Sequence, residues 1–367
     1  MKSLRFAVIG VGHLGRIHAR LCHALRGVEL VGVVDPARAG REAVAAELGV
    51  PAFATADPLL GQIDAAIVAT PTRAHTPVGL DLVRHGVHLF VEKPLAASVE
   101  QASLLVAACR RQGVVLQVGH VERFNPVWQE CRSFLHQPKY LDAVRVSGYA
   151  FRSTDIGVVL DLMIHDLDLA LSVVDSPVAA VEALGLSVLG GHEDAAQARV
   201  TFQNGCVANF AASRVSYTAR RCMQVWSAHA FATLDFAAGA ATLVQPAARI
   251  KNGPLPVEDL SAAERAHLKE HFYGELLEKT ERQAEPVNAI AEQQRQFAES
   301  IRTGQPPLVD GQQGRDAVAL AEQILARVAQ HRWDGRDDGR TGPRAVPPQT
   351  LLPMPAPDPA RQRRQAG

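Results

Sequence analysis

The feature that most constrains the fold is a glycine-rich turn near the N-terminus. Residues 5–9 form a short apolar run, Gly10-Val11-Gly12-His13-Leu14-Gly15 follows, and residues 13–25 have the pattern of a helix. In such a strand–turn–helix unit the three glycines allow a tight turn, space for a pyrophosphate and close helix–strand packing. The helix start also offers free N–H groups to phosphate. The alternative is a turn that only connects two elements, but its position between strand and helix favours a dinucleotide site contacted by Gly10, Gly12, His13, Leu14 and Gly15.

Apolar strand-like runs and helical segments alternate through the first 120 residues. Further strands are expected at 28–34, 64–69, 88–91 and 114–118, and a capping box of Ser98 and Gln101 is expected to open one of the helices. Runs that are apolar throughout indicate burial on both faces of a parallel sheet. The first half is therefore expected to be an α/β doubly wound parallel sheet, a Rossmann domain.

The pattern changes after Gly119. Several strand-like runs lie between 140 and 250, with a hairpin signal at 203–205, one helix near 158–174, and helices at 286–303 and 311–330. This indicates an α+β domain with an open, mostly antiparallel sheet. The predicted division is a Rossmann domain over 1–122, a substrate and oligomerisation domain over 123–331, and a disordered tail over 332–367, where prolines and arginines replace large apolar residues.

Charge and cysteine content exclude several classes of protein. The 38 basic residues balance 38 acidic ones, which argues against a nucleic-acid partner. The five cysteines are an odd number with no CxxC pair, as is typical of a reduced protein rather than a disulfide framework or zinc module. The sequence has no apolar run of the roughly 18 residues that a membrane span needs. A cytoplasmic protein without a membrane partner is expected.

Asp35 lies at the predicted end of the second strand, 20 residues beyond Gly15. A carboxylate there can accept hydrogen bonds from both ribose hydroxyls of an adenosine and would repel a 2′-phosphate. NAD is therefore expected in preference to NADP, although Arg38 is close enough in sequence to weaken that preference.

Two further features carry ionisable groups. Glu92-Lys93-Pro94 ends a predicted parallel strand, where Lys93 could contact a substrate hydroxyl or be a solvated turn residue. Asp161, His165, Asp168 and Ser172 share one stripe of an otherwise apolar helix, either a solvent face or a reactive one.

A metal site made of Asp161, His165 and either His120 or Glu122 is a weaker alternative, since neither HExxH nor CxxC occurs. No metal is expected.

These motifs together resemble the Gfo/Idh/MocA oxidoreductase family. The resemblance rests on the glycine turn, TPTRAH at 70–75, EKP at 92–94 and LDLMIHDLD at 160–168, and it extends over about residues 4–330. It implies a tightly held nicotinamide cofactor, a sugar or cyclitol substrate, and a homodimer or homotetramer formed through the C-terminal sheet. It also implies cofactor contacts at Thr70, Pro71, His75, Glu92 and Lys93, in addition to the glycine turn and Asp35.

The same resemblance assigns catalytic roles to Lys93, Asp161 and His165. Alcohol oxidation needs a base for the hydroxyl proton, and an imidazole can supply it near neutral pH. A neighbouring carboxylate is expected to orient the His165 ring and raise its pKa. Lys93 is expected to stabilise developing oxyanion charge.

Three stretches, at 118–126, 151–171 and 213–216, resemble the UDP-N-acetylglucosamine 3-dehydrogenases within that family. That group oxidises the sugar 3-hydroxyl for 3-amino-sugar and lipid A variant synthesis. Guanidinium groups suit diphosphate oxygens, and Arg220 and Arg221 are also available. Expected substrate contacts are Arg123, Asn125, Arg152, Asp161 and Arg214. Three alternatives stay open: oxidation of another pyranose or an inositol, NAD-dependent glycoside hydrolysis, and a non-catalytic NAD-binding regulator.

Overall fold

The computed structural model describes residues 3–151, 155–189, 191–253 and 255–333. Nearly all of the tail predicted at 332–367 lies outside the described residues, as does Arg152. Within the described ranges, no helix is both long enough and apolar enough to cross a membrane. The five cysteines are free thiols.

The first sheet has six parallel strands with helices between them. Its strands are β1 (Leu4–Ile9), β2 (Val28–Val34), β3 (Ala52–Phe53), β4 (Ala65–Val68), β5 (His88–Glu92) and β6 (Leu116–Gly119), and its connecting helices are α1 (His13–Ala24), α2 (Arg38–Leu48), α3 (Thr72–Arg84) and α4 (Val99–Gln112). The strand order is β3-β2-β1-β4-β5-β6, and all five pairings are parallel. The order reverses between β1 and β4, which is where such sheets bind ligands at the carboxyl ends of their strands. The predicted Rossmann fold is confirmed.

Two helix ends in this half can be compared with the features that the sequence offers there. Helix α2 ends at Gly49 in the left-handed region, at φ 66°, as a helix-terminating glycine should. At the start of α4 the Ser98 hydroxyl accepts the backbone N–H of Gln101, but the side-chain oxygen of Gln101 has no hydrogen-bond partner among the described residues. The predicted capping box is therefore only half formed.

The second sheet has eight strands and is antiparallel except at one pair. The strands are β7 (Pro138–Val146), β8 (Val178–Leu186), β9 (Ala195–Phe202), β10 (Val207–Ser213), β11 (Arg220–Ser227), β12 (Phe231–Asp235), β13 (Ala240–Pro246) and β14 (Leu277–Gln283). Their order is β14-β13-β12-β11-β7-β10-β9-β8, and only β7 with β10 is parallel. The turn at 203–205 joins antiparallel β9 and β10, which confirms the hairpin. The mostly antiparallel second domain is confirmed as well.

Six further helices are described after the first sheet: α5 (Pro126–Cys131), α6 (Ile164–Leu171), α7 (Ala248–Lys251), α8 (Ala262–Glu270), α9 (Ala289–Thr303) and α10 (Gly311–Gln330). Short 3₁₀ turns lie at Asp57–Leu59, Val121–Phe124, Arg132–Phe134 and Val257–Asp259, and an irregular turn at Phe272–Leu276. A π-helical turn, Val159–Met163, leads directly into α6. Sequence periodicity predicts one continuous helix here, and the wider turn changes which side chains share a face.

Helix α9, from late in the chain, completes the core of the first sheet. The Phe297 ring lies 5.5 Å from that of Phe6 and 6.0 Å from that of Phe90, both edge-on. All three side chains are fully buried. Although the sequence division places α9 in the second domain, its apolar face packs on the nucleotide-binding side of the molecule.

Candidate active site

The glycine turn has the geometry that a dinucleotide site needs. Gly10 has a φ of +90°, and a Cβ there would lie 2.7 Å from the carbonyl oxygen of Ala69. A Cβ on Gly15 would lie 1.9 Å from the carbonyl oxygen of Gly10, so only glycine lets the turn and helix α1 approach this closely. By contrast, a Cβ on Gly12 would meet no atom within 4 Å, which leaves the space that a pyrophosphate would occupy.

Asp35 is oriented by two backbone groups at the carboxyl end of β2. Its Oδ2 accepts the N–H of Val11 at 2.9 Å, and its Oδ1 accepts the N–H of Ala37 at 2.8 Å. Each carboxylate oxygen keeps a second lone pair for a ligand hydroxyl. Arg38 points away to an exposed ion pair with Glu42 at 2.7 Å, and the structure therefore gives it no contact with Asp35.

Thr70 and Pro71 line the central cavity, but the buried His75 does not. The His75 ring lies between two backbone carbonyl groups, with Nδ1 2.9 Å from the oxygen of Pro94 and Nε2 2.9 Å from that of Thr70. Burial lowers its pKa, against the raising effect of these carbonyl groups. His75 therefore joins the 70–71 loop to the EKP turn, and its direct contact with the cofactor stays a prediction.

A buried polar chain supports the EKP turn from beneath. Gln294 donates to Nδ1 of His18 at 2.8 Å, and Nε2 of His18 lies 2.7 Å from Oε1 of Glu92. The other carboxylate oxygen of Glu92 accepts the backbone N–H of Lys93 at 3.1 Å. Burial alone would raise the pKa of Glu92, but the His18 imidazole and Lys93 lower it overall. Glu92 acts on the cleft by fixing the backbone of Lys93.

Lys93 and Asp161 meet across the boundary between the two domains. The ammonium donates to the Asp161 carboxylate at 2.9 Å and to the Asp161 carbonyl oxygen at 2.7 Å. Their side chains keep 15% and 19% of their surface exposed, so the pair is shielded but reachable from the cleft. The structure thus brings together two of the three residues predicted to be catalytic.

His165 departs from its predicted environment. The expected carboxylate partner is absent among the described residues: Asp161 is bonded to Lys93, and the buried Nδ1 of His165 has no hydrogen-bond partner. Burial, followed by the positive charges of Lys93 and Arg145, lowers the pKa of His165 well below its usual value. The prediction that a neighbouring carboxylate raises this pKa is therefore wrong.

A cavity of about 1200 Å³ joins the Lys93–Asp161 pair to the glycine turn and Asp35. His165 is not among the residues that line this cavity; it lies one helical turn beyond Asp161, which does line it. From the first domain its lining includes Gly12, Asp35 and Lys93, each at or just beyond the carboxyl end of a parallel strand. From the second domain it includes Asp161 and Arg221. The residues present would suit a nicotinamide dinucleotide, since Gly12 leaves open space where its phosphates would lie and the carboxylate of Asp35 would be oriented toward its ribose.

The predicted substrate residues separate into two groups. Arg123 is buried, with Nη1 3.5 Å from Asp168 and Nη2 3.3 Å from the Leu308 carbonyl oxygen, while Asn125 caps α5. Neither side chain lines the cavity, because each is committed to a structural contact. Arg214 does line it, but its guanidinium is bound to Asp194 at 2.8 Å and to the Ile156 carbonyl oxygen.

Arg221 is one of the two arginines that the sequence offers for a diphosphate without placing them among the expected substrate contacts. It is exposed and lines the cavity, and within the described ranges its guanidinium has no hydrogen bond or ion pair. Its position on β11 is set by pairing with Arg145 of β7 across the second sheet. Alternation along β11 could have indicated which of Arg220 and Arg221 faces inward, but not that the inward face borders the cleft.

The weaker metal interpretation receives no support from the cleft geometry. Across the described part of the chain, the cluster with metal-ligand spacing is His267, His271 and Glu275, which lies outside the residues that line the cavity. It contains an exposed ion pair between His267 and Glu275 at 2.6 Å. Glu122 is instead part of a buried network with Arg145 and Asp166, at 2.6 and 2.8 Å from the arginine.

Comparison with known proteins agrees with this geometry. Residues 4–120 match the oxidoreductase family with an NAD-binding Rossmann fold, and residues 129–241 match the GFO/IDH/MocA C-terminal domain. The chain belongs to the Gfo/Idh/MocA oxidoreductase family.

Within that family, a nucleotide-sugar dehydrogenase matches over almost its whole length. The UDP-N-acetylglucosamine 3-dehydrogenase of Acidithiobacillus ferrooxidans is 34% identical over 329 residues, which cover 89% of this chain and 98% of that protein. Its solved structure superposes with a TM-score of 0.78 at 33% identity, over 89% of this chain and 98% of that one. The scyllo-inositol 2-dehydrogenase (NAD(+)) of Bacillus subtilis is 30% identical over 236 residues, 58% of this chain and 68% of that protein.

A more distant structure shares the fold alone. An oxidoreductase from Agrobacterium radiobacter, solved with NAD+, L-tartaric acid and magnesium, has a TM-score of 0.75 at 18% identity, over 91% of this chain and 98% of that one. Together the matches support a sugar dehydrogenase that uses a nicotinamide cofactor.

Proposed function

We propose that this protein oxidises a secondary hydroxyl of a nucleotide sugar to a ketone with NAD, and that its substrate is UDP-N-acetylglucosamine, oxidised at the 3-hydroxyl. The observation that carries the proposal is the Lys93–Asp161 pair, which lines the same cavity as the glycine turn and Asp35. A cationic donor held beside a dinucleotide site supports alcohol oxidation, because it can stabilise the negative charge that develops on the substrate oxygen.

NAD is the proposed cofactor, held by the glycine turn and by Asp35. When bound, it supplies a hydride acceptor at the nicotinamide ring. The Asp35 carboxylate, fixed by the N–H groups of Val11 and Ala37, would accept the ribose hydroxyls and repel a 2′-phosphate. Arg38 does not offset that repulsion, because its guanidinium is paired with Glu42.

Three residues of the chain are proposed to handle the substrate proton and the charge on the substrate oxygen. His165 removes the hydroxyl proton, and its low pKa keeps the imidazole in the unprotonated, proton-accepting form at neutral pH. Lys93 donates to the substrate oxygen as negative charge develops on it. Asp161 holds the ammonium in place through its carboxylate and its carbonyl oxygen, so that the donor is already oriented before substrate binds.

The nucleotide-sugar assignment has two supports. A UDP-N-acetylglucosamine 3-dehydrogenase is 34% identical to this chain and is covered over 98% of its length. The cavity also presents the guanidinium of Arg221, which is free to bind a diphosphate. Arg214 contributes indirectly, because its bond to Asp194 and the Ile156 carbonyl oxygen fixes the cavity wall.

The decisive experiment incubates the purified protein with NAD and UDP-N-acetylglucosamine. The expected result is NADH at 340 nm and a product two mass units lighter, with an aminotransferase added to remove the ketone if equilibrium limits the yield.

Arg221→Ala should raise KM for the nucleotide sugar about tenfold or more, while the matched variant Arg220→Ala, which does not line the cavity, leaves it unchanged. Absence of both NADH and product, with the coupling enzyme present, would refute the assignment.

A cyclitol or free pyranose is the second candidate, because a scyllo-inositol 2-dehydrogenase is 30% identical over 68% of its own length. Turnover of scyllo-inositol or myo-inositol, with none of the nucleotide sugar, would establish it. Release of a chromogenic aglycone without net NADH would instead identify an NAD-dependent glycoside hydrolase.

We also propose that the protein acts as a homodimer or homotetramer through its second sheet. Its half-buried aromatic side chains support this, since the Trp226 ring lies 5.1 Å from Tyr140 and 4.6 Å from Phe231. Light scattering of the purified protein measures the oligomeric state directly.

A further inference from the structure

Four buried polar atoms on His165 and on two residues near it have no hydrogen-bond partner in the described part of the chain. They are Nδ1 of His165, both ring nitrogens of His120, and Oδ2 of Asp168. His120 and Asp168 are fully or almost fully buried, at 0% and 2% exposure. Buried polar groups in folded proteins are normally hydrogen-bonded, to the protein or to an ordered water.

These atoms belong to one neighbourhood. The His120 and His165 rings are 6.4 Å apart between centroids and nearly perpendicular, at 88°. His120 directly follows β6 and so lies at the same carboxyl edge of the first sheet as Lys93. Asp168 lies one helical turn beyond His165 on α6, and its negative charge is the largest influence that favours protonation of His120.

The charges around the His165 and His120 rings bear on where a proton is more stable. Burial and the positive charges of Lys93, Arg145 and Arg221 disfavour a proton that stays on His165. Burial, Arg123 and Lys93 act the same way on His120, while Asp168 and Glu92 favour its protonation. A proton taken up at His165 is therefore more stable nearer Asp168.

We propose that His120 is a positioning residue that acts on His165 through a water molecule bound between the two rings. This inference rests on the proposed function, in which His165 is the base. The water accepts the Nδ1–H of His165 and donates to one His120 nitrogen. The arrangement selects the Nδ1–H tautomer and leaves the lone pair on Nε2 for the substrate hydroxyl.

The proton balance is simple. When the substrate is oxidised, its O–H bond breaks, the proton bonds to Nε2 of His165, and the hydride carries the C–H electron pair to the oxidant. The Nδ1 proton of His165 passes to the water as one of the water's own protons passes to His120. His165 returns to a neutral form, and the positive charge rests on His120 near the Asp168 carboxylate.

The first test does not depend on turnover. In a crystal structure of the protein with NAD, we expect an ordered water within hydrogen-bond distance of both His165 Nδ1 and His120. In ¹⁵N-histidine NMR spectra, His165 should be the Nδ1–H tautomer in the wild type and lose that preference in His120→Phe. A dry contact between the rings, or the Nε2–H tautomer in the wild type, would overturn the proposal.

The second test is kinetic and separates this inference from the function itself. Wild-type turnover of UDP-N-acetylglucosamine tests the function, and only the variants test His120. His120→Phe should lower kcat roughly tenfold to hundredfold and shift the acid limb of the pH profile, with NAD affinity unchanged. His120→Gln, which can still bond to a water, should recover part of kcat. An unchanged kcat and pH profile in both variants would show that His120 only fills space.

Discussion

The ammonium of Lys93 lies 2.7 Å from the carbonyl oxygen of Asp161 and 2.9 Å from its carboxylate, although the two residues are 68 positions apart in sequence. Lys93 follows the last residue of β5, and Asp161 lies in the π-helical turn before α6. This single pair aligns the cofactor edge of the first sheet with the helix that carries His165. It also accounts for why Asp161 cannot serve as the partner of His165.

Replacement of Lys93 by Met should lower kcat/KM by about a hundredfold to a thousandfold, the usual loss for one oxyanion donor. NAD affinity should change little, because Lys93 is proposed to act on the substrate oxygen, whereas thermal stability should fall, because the ion pair with Asp161 is largely shielded from solvent. Steady-state kinetics, NAD titration and thermal unfolding measure these effects. Lys139→Met, an exposed lysine on β7, is the control. A Lys93 variant with normal kcat/KM would remove Lys93 from the chemistry.

Asp35→Asn should reduce the preference for NAD over NADP by about tenfold, or roughly 1.4 kcal/mol. The amide removes the negative charge that repels a 2′-phosphate, yet its oxygen can still accept a backbone N–H. Fluorescence titration with both cofactors gives the ratio. An unchanged ratio would mean that Asp35 serves only to hold the N–H groups of Val11 and Ala37.

Gly12 and Gly15 form a matched pair for testing the glycine turn. Gly15→Ala should lower the free energy of unfolding by about 1–3 kcal/mol, since its Cβ would overlap the Gly10 carbonyl oxygen. Gly12→Ala should leave thermal stability unchanged, because no atom lies within 4 Å of its Cβ, but weaken NAD binding. Thermal unfolding and calorimetric titration separate the two effects. Equal NAD affinity in Gly12→Ala and wild type would place the pyrophosphate elsewhere.

The rate of alcohol oxidation should stay constant as pH falls through 6.5 and decline only at lower pH. A base works in its unprotonated form, and burial together with Lys93 holds the pKa of His165 well below its usual value. A kcat–pH profile shows the position of the acid limb, and His165→Ala should abolish most of the rate. An acid limb at or above 6.5 would mean that the substrate-bound site favours the protonated ring.

The first domain could be predicted closely because its signals are local. The glycine turn, Asp35 and Lys93 each follow a parallel strand, and the sheet brings its strand ends to one edge whatever the rest of the chain does. Strand β2 has the predicted bounds, Val28–Val34. The same logic could have placed His120, which directly follows β6, among the site residues.

The surroundings of His165 could not be predicted because they depend on tertiary contacts. Helical periodicity places Asp161 and His165 on one stripe, but the π-helical turn ends between them and Lys93 bonds to the carboxylate. Likewise, Arg123 forms a buried ion pair with Asp168, and Arg214 forms one with Asp194. No spacing in the sequence indicates either pair. Arginine content predicts an anion site only when the acidic partners are known.

The packing of α9 on the first sheet bears on how the molecule is made. When a ribosome has released residues 1–122, the segment that will cover Phe6 and Phe90 and supply Gln294 to His18 has not yet been synthesised. The core of the first sheet therefore cannot be completed until residues 289–303 have been synthesised. Folding of the nucleotide-binding half depends on synthesis of the second half of the chain. Cutting the gene at the apparent domain boundary would leave an aromatic face uncovered and open to aggregation.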